Sequence, residues 1–330
     1  MTKSKRKLGL KIFLQLAISA LLLVIVYRSS NFDKLLETLK SFSWMTALEI
    51  SLVYALGQIL SAFKWSIFVR QAEIGTKMLQ IIRAYFLGMF VNNFGFGTVG
   101  GDVARSVALF PPQGKRAPAF ATVIADRVHG LAVLVTIGAI SAAIFKPAVL
   151  GPHPVVIGLT ALATLILGWL IGPSILLKLF PGPHKLSRLA KSVRQAFPMQ
   201  LNVVIPATAI SALFHLSQIY MVYLIAQKLG APLSFTYLLA TVPVVNVITS
   251  LPISINGLGV RESLFLTLFS PMGTTNEQCI AIGALWLVAV TVVAAIGGVV
   301  IGAQSIQAVT DEAEEKSPKE EFMRDVEPAK

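Results

Sequence analysis

The sequence predicts an all-α polytopic membrane protein, with about six full spans and two re-entrant helical hairpins related as an inverted repeat. Three observations predict it. Of the 330 residues, 55% are hydrophobic and 13% charged, too apolar for an ordinary soluble domain. They gather into runs near the ~20 residues that cross a bilayer. Lys and Arg cluster in short segments between those runs, as the positive-inside rule requires of cytoplasmic loops. Two further apolar stretches lead straight into charged, glycine-rich motifs, a composition tolerated at membrane depth only where it lines a protected cavity. The loops also account for the net charge of +12, which excludes nucleic acid as the partner. Cys279 stands alone, so no internal disulfide and no thiolate metal cage forms.

The first span, Leu10 to Tyr27, follows Lys3, Lys5, Arg6 and Lys7 and so has the outline of a signal peptide. Val26-Tyr27-Arg28 is a poor cleavage site, and the segment is expected to stay as a cytoplasm-anchored first helix. Trp44 to Phe63 returns the chain to a basic loop carrying Lys64, Arg70, Lys77 and Arg83. If Ile81 to Phe96 then crossed fully, the basic loop with Lys178, Lys185, Arg188, Lys191 and Arg194 would fall outside. The conflict disappears if residues 81–117 enter from the cytoplasm, turn at the glycines and leave on the same side.

Val128 to Phe145 then runs outward, Val155 to Ile171 back and Val203 to Gln227 out again. A second hairpin, Phe235 to Phe269, opens from the outside, and Ile280 to Ala303 carries the tail in. Both termini are then cytoplasmic. Each half, about residues 8–150 and 151–305, holds three full spans, and an odd number forces the second half to be inverted. The membrane domain is expected over 1–310. The acidic residues 311–330 cannot bury enough apolar surface to fold and are expected as a solvated tail.

The hairpins carry the chemistry. Thr98-Val99-Gly100-Gly101 with Arg105 aligns with Ser254-Ile255-Asn256-Gly257 with Arg261, matching hydroxyl to hydroxyl, glycine to glycine and arginine to arginine. Helix breaks are expected at Gly95, Gly97, Gly100 and Gly101, and at Pro252, Gly257 and Gly259. The literal G-x-G-x-x-G from Gly95 to Gly100 lacks the preceding strand and βαβ unit of a dinucleotide site. A helix starting near Gly101 instead points its positive end at an anion such as a phosphate.

Asp102 and Arg105 share a helical face, and Arg261 with Glu262 supplies the equivalent charges in the second copy. Either each pair neutralises itself where the hairpin meets water, or the two arginines hold a lipid phosphate while the carboxylates compete for them. Asp126-Arg127 is read as opening the next span, either as an interfacial anchor or as part of the same head-group site. Asn93 and Asn256 either donate to phosphate or cap broken helix ends.

No catalytic constellation, metal-ligand spacing or P-loop stands out, and no cofactor is expected. His129, His153, His184 and His215 are scattered along the chain.

The elements Gly100-Gly101-Asp102-Val103-Ala104-Arg105, Asp126-Arg127 at a helix and Gly257-Leu258-Gly259-Val260-Arg261-Glu262, in this order, resemble the lysylphosphatidylglycerol synthase transmembrane family of flippase-like proteins, over roughly residues 8 to 305. Asp126 stands where that family more usually has glutamate. The resemblance implies a bacterial or archaeal cytoplasmic-membrane protein that moves or binds an anionic phospholipid, an aminoacylated lipid or a polyprenyl phosphate. It assigns head-group contacts to Asp102, Arg105, Asp126, Arg127, Arg261 and Glu262. The family's cytoplasmic aminoacyl-transferase domain has no counterpart in this sequence, so synthase activity is not expected, and a separate lipid-modifying enzyme is a candidate partner. Two other classes remain open: a non-transporting membrane partner in envelope synthesis, and a lipid-modifying enzyme. The oligomeric state is not legible.

Overall fold

The computed structural model describes residues 17–24, 26, 28, 31–40, 42–94, 97–112, 115–179, 185–198, 200–251, 253, 254 and 256–315. The protein is an all-α polytopic membrane protein, and among the described residues there is no strand. In chain order its helices are α1 (17–24), α2 (Phe32–Lys40), α3 (Trp44–Gln71), α4 (Met78–Phe94), α5 (Gly97–Val107), α6 (Arg116–Phe145), α7 (Pro154–Leu179), α8 (Lys185–Ala196), α9 (Leu201–Lys228), α10 (Phe235–Ser250), α11 (Val260–Phe269) and α12 (Asn276–Glu315). Among the described residues five helices are long and apolar enough to cross a membrane: α3, α6, α7, α9 and the part of α12 up to Val299. Half of the expected first span, residues 10–16, 25 and 27, lies outside the described residues.

Several boundaries differ from the sequence reading, each for a local reason. α3 runs on to Gln71, so Lys64 and Arg70 belong to a helix and not to a basic loop; Lys64 is 3% exposed because a carboxylate meets it inside. α6 begins at Arg116, with Pro118 in its first turn where a missing N–H is harmless, so Asp126 and Arg127 lie well inside a 30-residue helix instead of opening one. The basic segment around Lys185 is itself a helix, α8, whose Ala190, Val193 and Ala196 are buried while Arg188, Lys191 and Arg194 face out. α12 continues to Glu315, into the segment read as tail, and residues 316–330 lie outside the described ones.

Two short apolar helices, α4 and α10, each lead through a break into a shorter partner. α5 packs along α4 and α11 along α10. Of the expected breaks, Gly95 and Pro252 lie outside the described residues. Gly97 is the first residue of α5, and Gly100 and Gly101 are inside it. The two inner glycines do not break the helix. Gly101 instead lets α5 close on α4, since a Cβ there would stand 2.4 Å from the Gly88 carbonyl oxygen. The second break is a turn of left-handed residues, Asn256 (φ 51°), Gly257 (φ 76°) and Gly259 (φ 78°), which glycine adopts without strain.

The packing pairs come in matched sets. α3 lies along α9. α4 packs on α12 as α10 packs on α6, α5 on α6 as α11 on α12, and α2 on α12 as α8 on α6. α3 touches α4, α6 and α12, and α9 touches α10, α12 and α6. Exchanging the two halves of the chain maps this set of neighbours onto itself. One apolar core, with Ile50, Ile219, Leu238, Phe265 and Phe269, surrounds the second hairpin; another, with Trp65, Val69, Ile81, Leu109 and Val123, surrounds the first. α7 stands at the edge with Ile157, Leu159, Leu167 and Leu170 exposed, as a helix bordered by lipid carries them.

Candidate functional site

α3 crosses the molecule with a polar face. Tyr54, Gln58, Ser61 and Lys64 recur at helical spacing, and all are buried in a largely apolar helix. Such residues inside a span must be paired, and their partners come from α4, α6 and α12: Met89 and Tyr85, Asp126, and Trp286.

At one end Lys64 meets the first hairpin. Its Nζ lies 2.8 Å from Asp126 Oδ1 and donates to the Asp126 carbonyl oxygen at 3.0 Å. The other carboxylate oxygen accepts from Arg105 Nη1 at 3.0 Å. Asp126 is thus held between two buried cations, on α3 and α5. Arg105 Nε also lies 3.3 Å from Asp102 Oδ1, one turn back, which realises the pairing expected from their spacing. Arg127 closes the network at its rim, with Nε and Nη2 each donating to an Asp102 oxygen at 2.8 Å. That fork is the strong geometry for a guanidinium and a carboxylate. Arg127 keeps 44% of its side chain exposed, whereas Arg105 and Asp126 keep 6% each.

Arg105 is also seated on aromatic faces, its Cζ 4.9 Å from the Trp65 ring centre and 5.7 Å from that of Tyr85. Both rings are anchored by hydrogen bonds. Trp65 Nε1 donates to Thr122 Oγ1 at 3.1 Å, and Tyr85 Oη donates to Gln58 Oε1 at 3.0 Å.

At the other end Arg261, on the first turn of α11, lies flat over Trp286 with its Cζ 3.5 Å from the ring centre. It is 4% exposed. Its Nη1 donates to the Asn256 carbonyl oxygen at 3.3 Å, its Nε has no hydrogen-bond partner, and no described carboxylate forms an ion pair with it. Glu262 makes no direct ion pair with it. Glu262 Oε2 accepts the Gly259 N–H at 2.7 Å and caps α11, because the carboxylate three residues after the turn reaches back to its orphan donor. Glu262 is therefore a cap here, set beside the arginine and not bonded to it.

The hairpins touch at their tips. Asn256 Nδ2 donates to the backbone oxygen and to Oδ1 of Asn93, each at 3.3 Å, and Asn93 Nδ2 donates to Thr291 Oγ1 of α12 at 3.2 Å. The two asparagines bind each other across the halves. Trp65 and Tyr54, which border the two guanidinium sites, are three turns apart on α3, about 16 Å along its axis.

Sequence reasoning thus found Asp102, Arg105, Asp126 and Arg127, which the fold brings into one network, and Arg261, Asn93 and Asn256, which it brings to the second site and the tips. It missed Lys64, Trp65, Tyr85 and Trp286. The signal for Lys64 was the Tyr54, Gln58, Ser61, Lys64 spacing, which continues a helix past the expected end of the span. Among the described residues no group of three or more His, Cys, Asp and Glu side chains is gathered to hold a metal ion.

The family described as lysylphosphatidylglycerol synthase TM region has a sequence model that matches residues 12–298, which takes in every residue of both sites. The chain is also similar to a UPF0104 membrane protein of Pyrococcus horikoshii, 25% identical over 122 residues. That alignment covers 36% of this chain and 36% of the archaeal protein, so the chain spans about a third of the length of the curated relative it matches.

Proposed function

The chain belongs to the lysylphosphatidylglycerol synthase TM region family, and we propose that it binds the phosphate of an anionic lipid between its two helical hairpins and translocates the head group while the acyl chains stay in the bilayer. One observation carries the reading. Arg261 is a buried guanidinium that, among the described residues, makes no direct ion pair with a carboxylate; it feels the charge of the neighbouring Glu262 only at a distance and keeps an unused N–H. A buried charge needs a partner, and a planar guanidinium stacked on an aromatic ring is suited to a phosphate oxyanion.

Further features support the same reading. The matched packing pairs support two repeated halves, and with three full spans in each the second would be inverted, the plan in which broken helices meet at a substrate site between repeats. On that reading α4–α5 enters from the cytoplasm, α10–α11 enters from the opposite side, and the Asn93–Asn256 contact lies where they meet. The spacing of the arginine sites along α3, roughly half of a ~30 Å hydrocarbon core, offers two successive stations for one head group.

The test is movement of head-group-labelled lipid between leaflets of liposomes containing purified protein. Wild type is expected to move phosphatidylglycerol and leave phosphatidylcholine, and Arg261→Gln is expected to stop movement with the fold intact. Folded wild type that moves no anionic lipid of any class would leave a non-transporting lipid- or protein-binding membrane partner as the better account.

A further inference from the structure

The surroundings of Arg261 are rich in donors. Its Nε has no hydrogen-bond partner, and the guanidinium lies flat over Trp286. Tyr54 of α3 packs on the same indole in a T-shaped contact, with ring centres 6.3 Å apart and planes at 75°. The shared indole sets the phenol beside the guanidinium, close enough for each to feel the other's charge. Tyr54 is 6% exposed, and a buried tyrosine hydroxyl ordinarily finds a strong acceptor. This one donates to Met89 Sδ at 3.9 Å, and a thioether sulfur accepts only weakly.

The neighbours offer that hydroxyl nothing stronger. Gln58, one turn on along α3, stands close to Tyr54, but its Oε1 already accepts from Tyr85 Oη at 3.0 Å, so what it turns to Tyr54 is its amide N–H, another donor. Glu262 Oε2 is taken by the Gly259 N–H, and the Asn256 carbonyl oxygen by Arg261 Nη1. We propose that the Tyr54 hydroxyl is the second donor of the phosphate site, turning from Met89 to one non-bridging oxygen of a phosphodiester while the Arg261 Nε–H takes the other. The inference rests on the head-group reading and adds a residue to that site. Tyr54 keeps its proton throughout, and no bond other than hydrogen bonds forms or breaks.

The other hairpin supplies the contrast that supports this role. Beside Arg105 stands Tyr85, and its hydroxyl donates to an amide oxygen, a full-strength acceptor, while Arg105 itself is met by Asp126 and Asp102. The tyrosine next to the ion-paired arginine is thus satisfied. The tyrosine next to the arginine without a direct counter-ion is not. Two donors short of an acceptor fall at one place, and a phosphodiester, whose single negative charge is shared by two equivalent oxygens, serves both. Exchanging a thioether for an oxyanion strengthens the Tyr54 bond, because hydrogen bonds to ionised acceptors are the strong ones. It costs little in return, since the contact given up is a weak one.

The experiment titrates purified full-length protein in detergent with short-chain phosphatidylglycerol and, separately, with inorganic phosphate. Tryptophan emission reads binding, and the tyrosine ultraviolet difference spectrum reads the hydrogen bond of the phenol. Tyr54→Phe keeps the ring against Trp286 and removes only the hydroxyl. Its affinity for phosphatidylglycerol is expected to fall by about ten- to a hundredfold, the cost of one hydrogen bond to a charged group, and its tyrosine difference band to disappear. Its unfolding temperature is expected to stay close to that of wild type, because the hydroxyl gives up only the thioether contact. Met89→Leu removes the thioether and leaves the hydroxyl, and is expected to bind at least as tightly as wild type. Tyr54-dependent binding of phosphatidylglycerol alone assigns the donor pair to a lipid head group, and of both ligands to the phosphate group itself; Tyr54-dependent binding of inorganic phosphate alone keeps the donor pair and contradicts the head-group reading. Wild type that binds with no tyrosine difference band overturns the proposal without any variant. Tyr54→Phe that binds as tightly as wild type, or Met89→Leu that weakens binding as far as Tyr54→Phe does, overturns it too and leaves the Arg261 site standing. Folded wild type that binds neither ligand overturns the head-group reading, and this proposal with it.

Discussion

The two hairpins are built from the same parts and are electrically unequal. Around the first, Arg105 sits on Trp65 and Tyr85, and its charge is met by Asp126 and Asp102. Around the second, Arg261 sits on Trp286 and meets no described carboxylate, because Glu262 is spent on the Gly259 N–H. The aromatic seat is common to both, so the seat alone does not define what each arginine does. The counter-charge does. The first hairpin is a closed network whose members depend on one another for the solvation that the membrane denies them. The second is a cation with no direct counter-ion, and the buried carboxylate beside it, Glu262, is held by the Gly259 N–H.

That difference predicts unequal responses to substitution, and the largest belongs to the first hairpin. Asp126→Asn leaves Lys64 buried with no anion and Arg105 with only the longer contact to Asp102. The expected loss is about 3–5 kcal/mol, read as a large drop in thermal unfolding temperature in detergent or as failure to accumulate folded protein. Gly101→Ala tests the close approach of α4 and α5: its Cβ would meet the Gly88 carbonyl at 2.4 Å and Asn92 Cβ at 2.8 Å, at an expected cost of about 1–3 kcal/mol in the same measurement.

Arg261→Gln removes the cation–π contact and one hydrogen bond, while Glu262 keeps the Gly259 N–H that holds it, so stability should fall by only about 1–2 kcal/mol while lipid movement is lost. A loss for Arg261→Gln as large as that for Asp126→Asn would erase the contrast between the hairpins. The smallest effect is expected at the rim. Arg127 is half-exposed, and Arg127→Gln should cost about 0.2–1 kcal/mol and become less visible at high salt.

Much of this contrast was legible in the sequence and part was not. Gly257 and Gly259 mark a helix break in the sequence, and the structure has one there, a left-handed turn that leads into α11. The spacing of Asp102 and Arg105 announces their contact. Composition misled at Lys64, because a lysine at the end of an apolar run looks like the start of a cytoplasmic loop; only the hydrogen-bonding residues spaced along α3 before it argue for one continuous buried face. It misled at Gly100 and Gly101, because glycine marks a break and a close helix contact with the same letter, and which one applies depends on Gly88 of the neighbouring helix. Glu262 was taken for an ionic partner of its neighbour, although its place three residues after Gly259 also fits a cap, and the cap is what forms. Trp286 could not be assigned from sequence, since nothing local to it says which helix it will meet.

The most direct test of the central claim uses the tryptophan under Arg261. An anion docking on that guanidinium changes the field at Trp286, 3.5 Å away, and so its emission. Purified protein titrated with phosphatidylglycerol is expected to show a saturable emission change that phosphatidylcholine does not cause and that both Trp286→Phe and Arg261→Gln abolish. An equal response to the two lipids, or a phosphatidylglycerol response that survives Arg261→Gln, would contradict the claim that the open cation of the second hairpin is where the lipid phosphate binds.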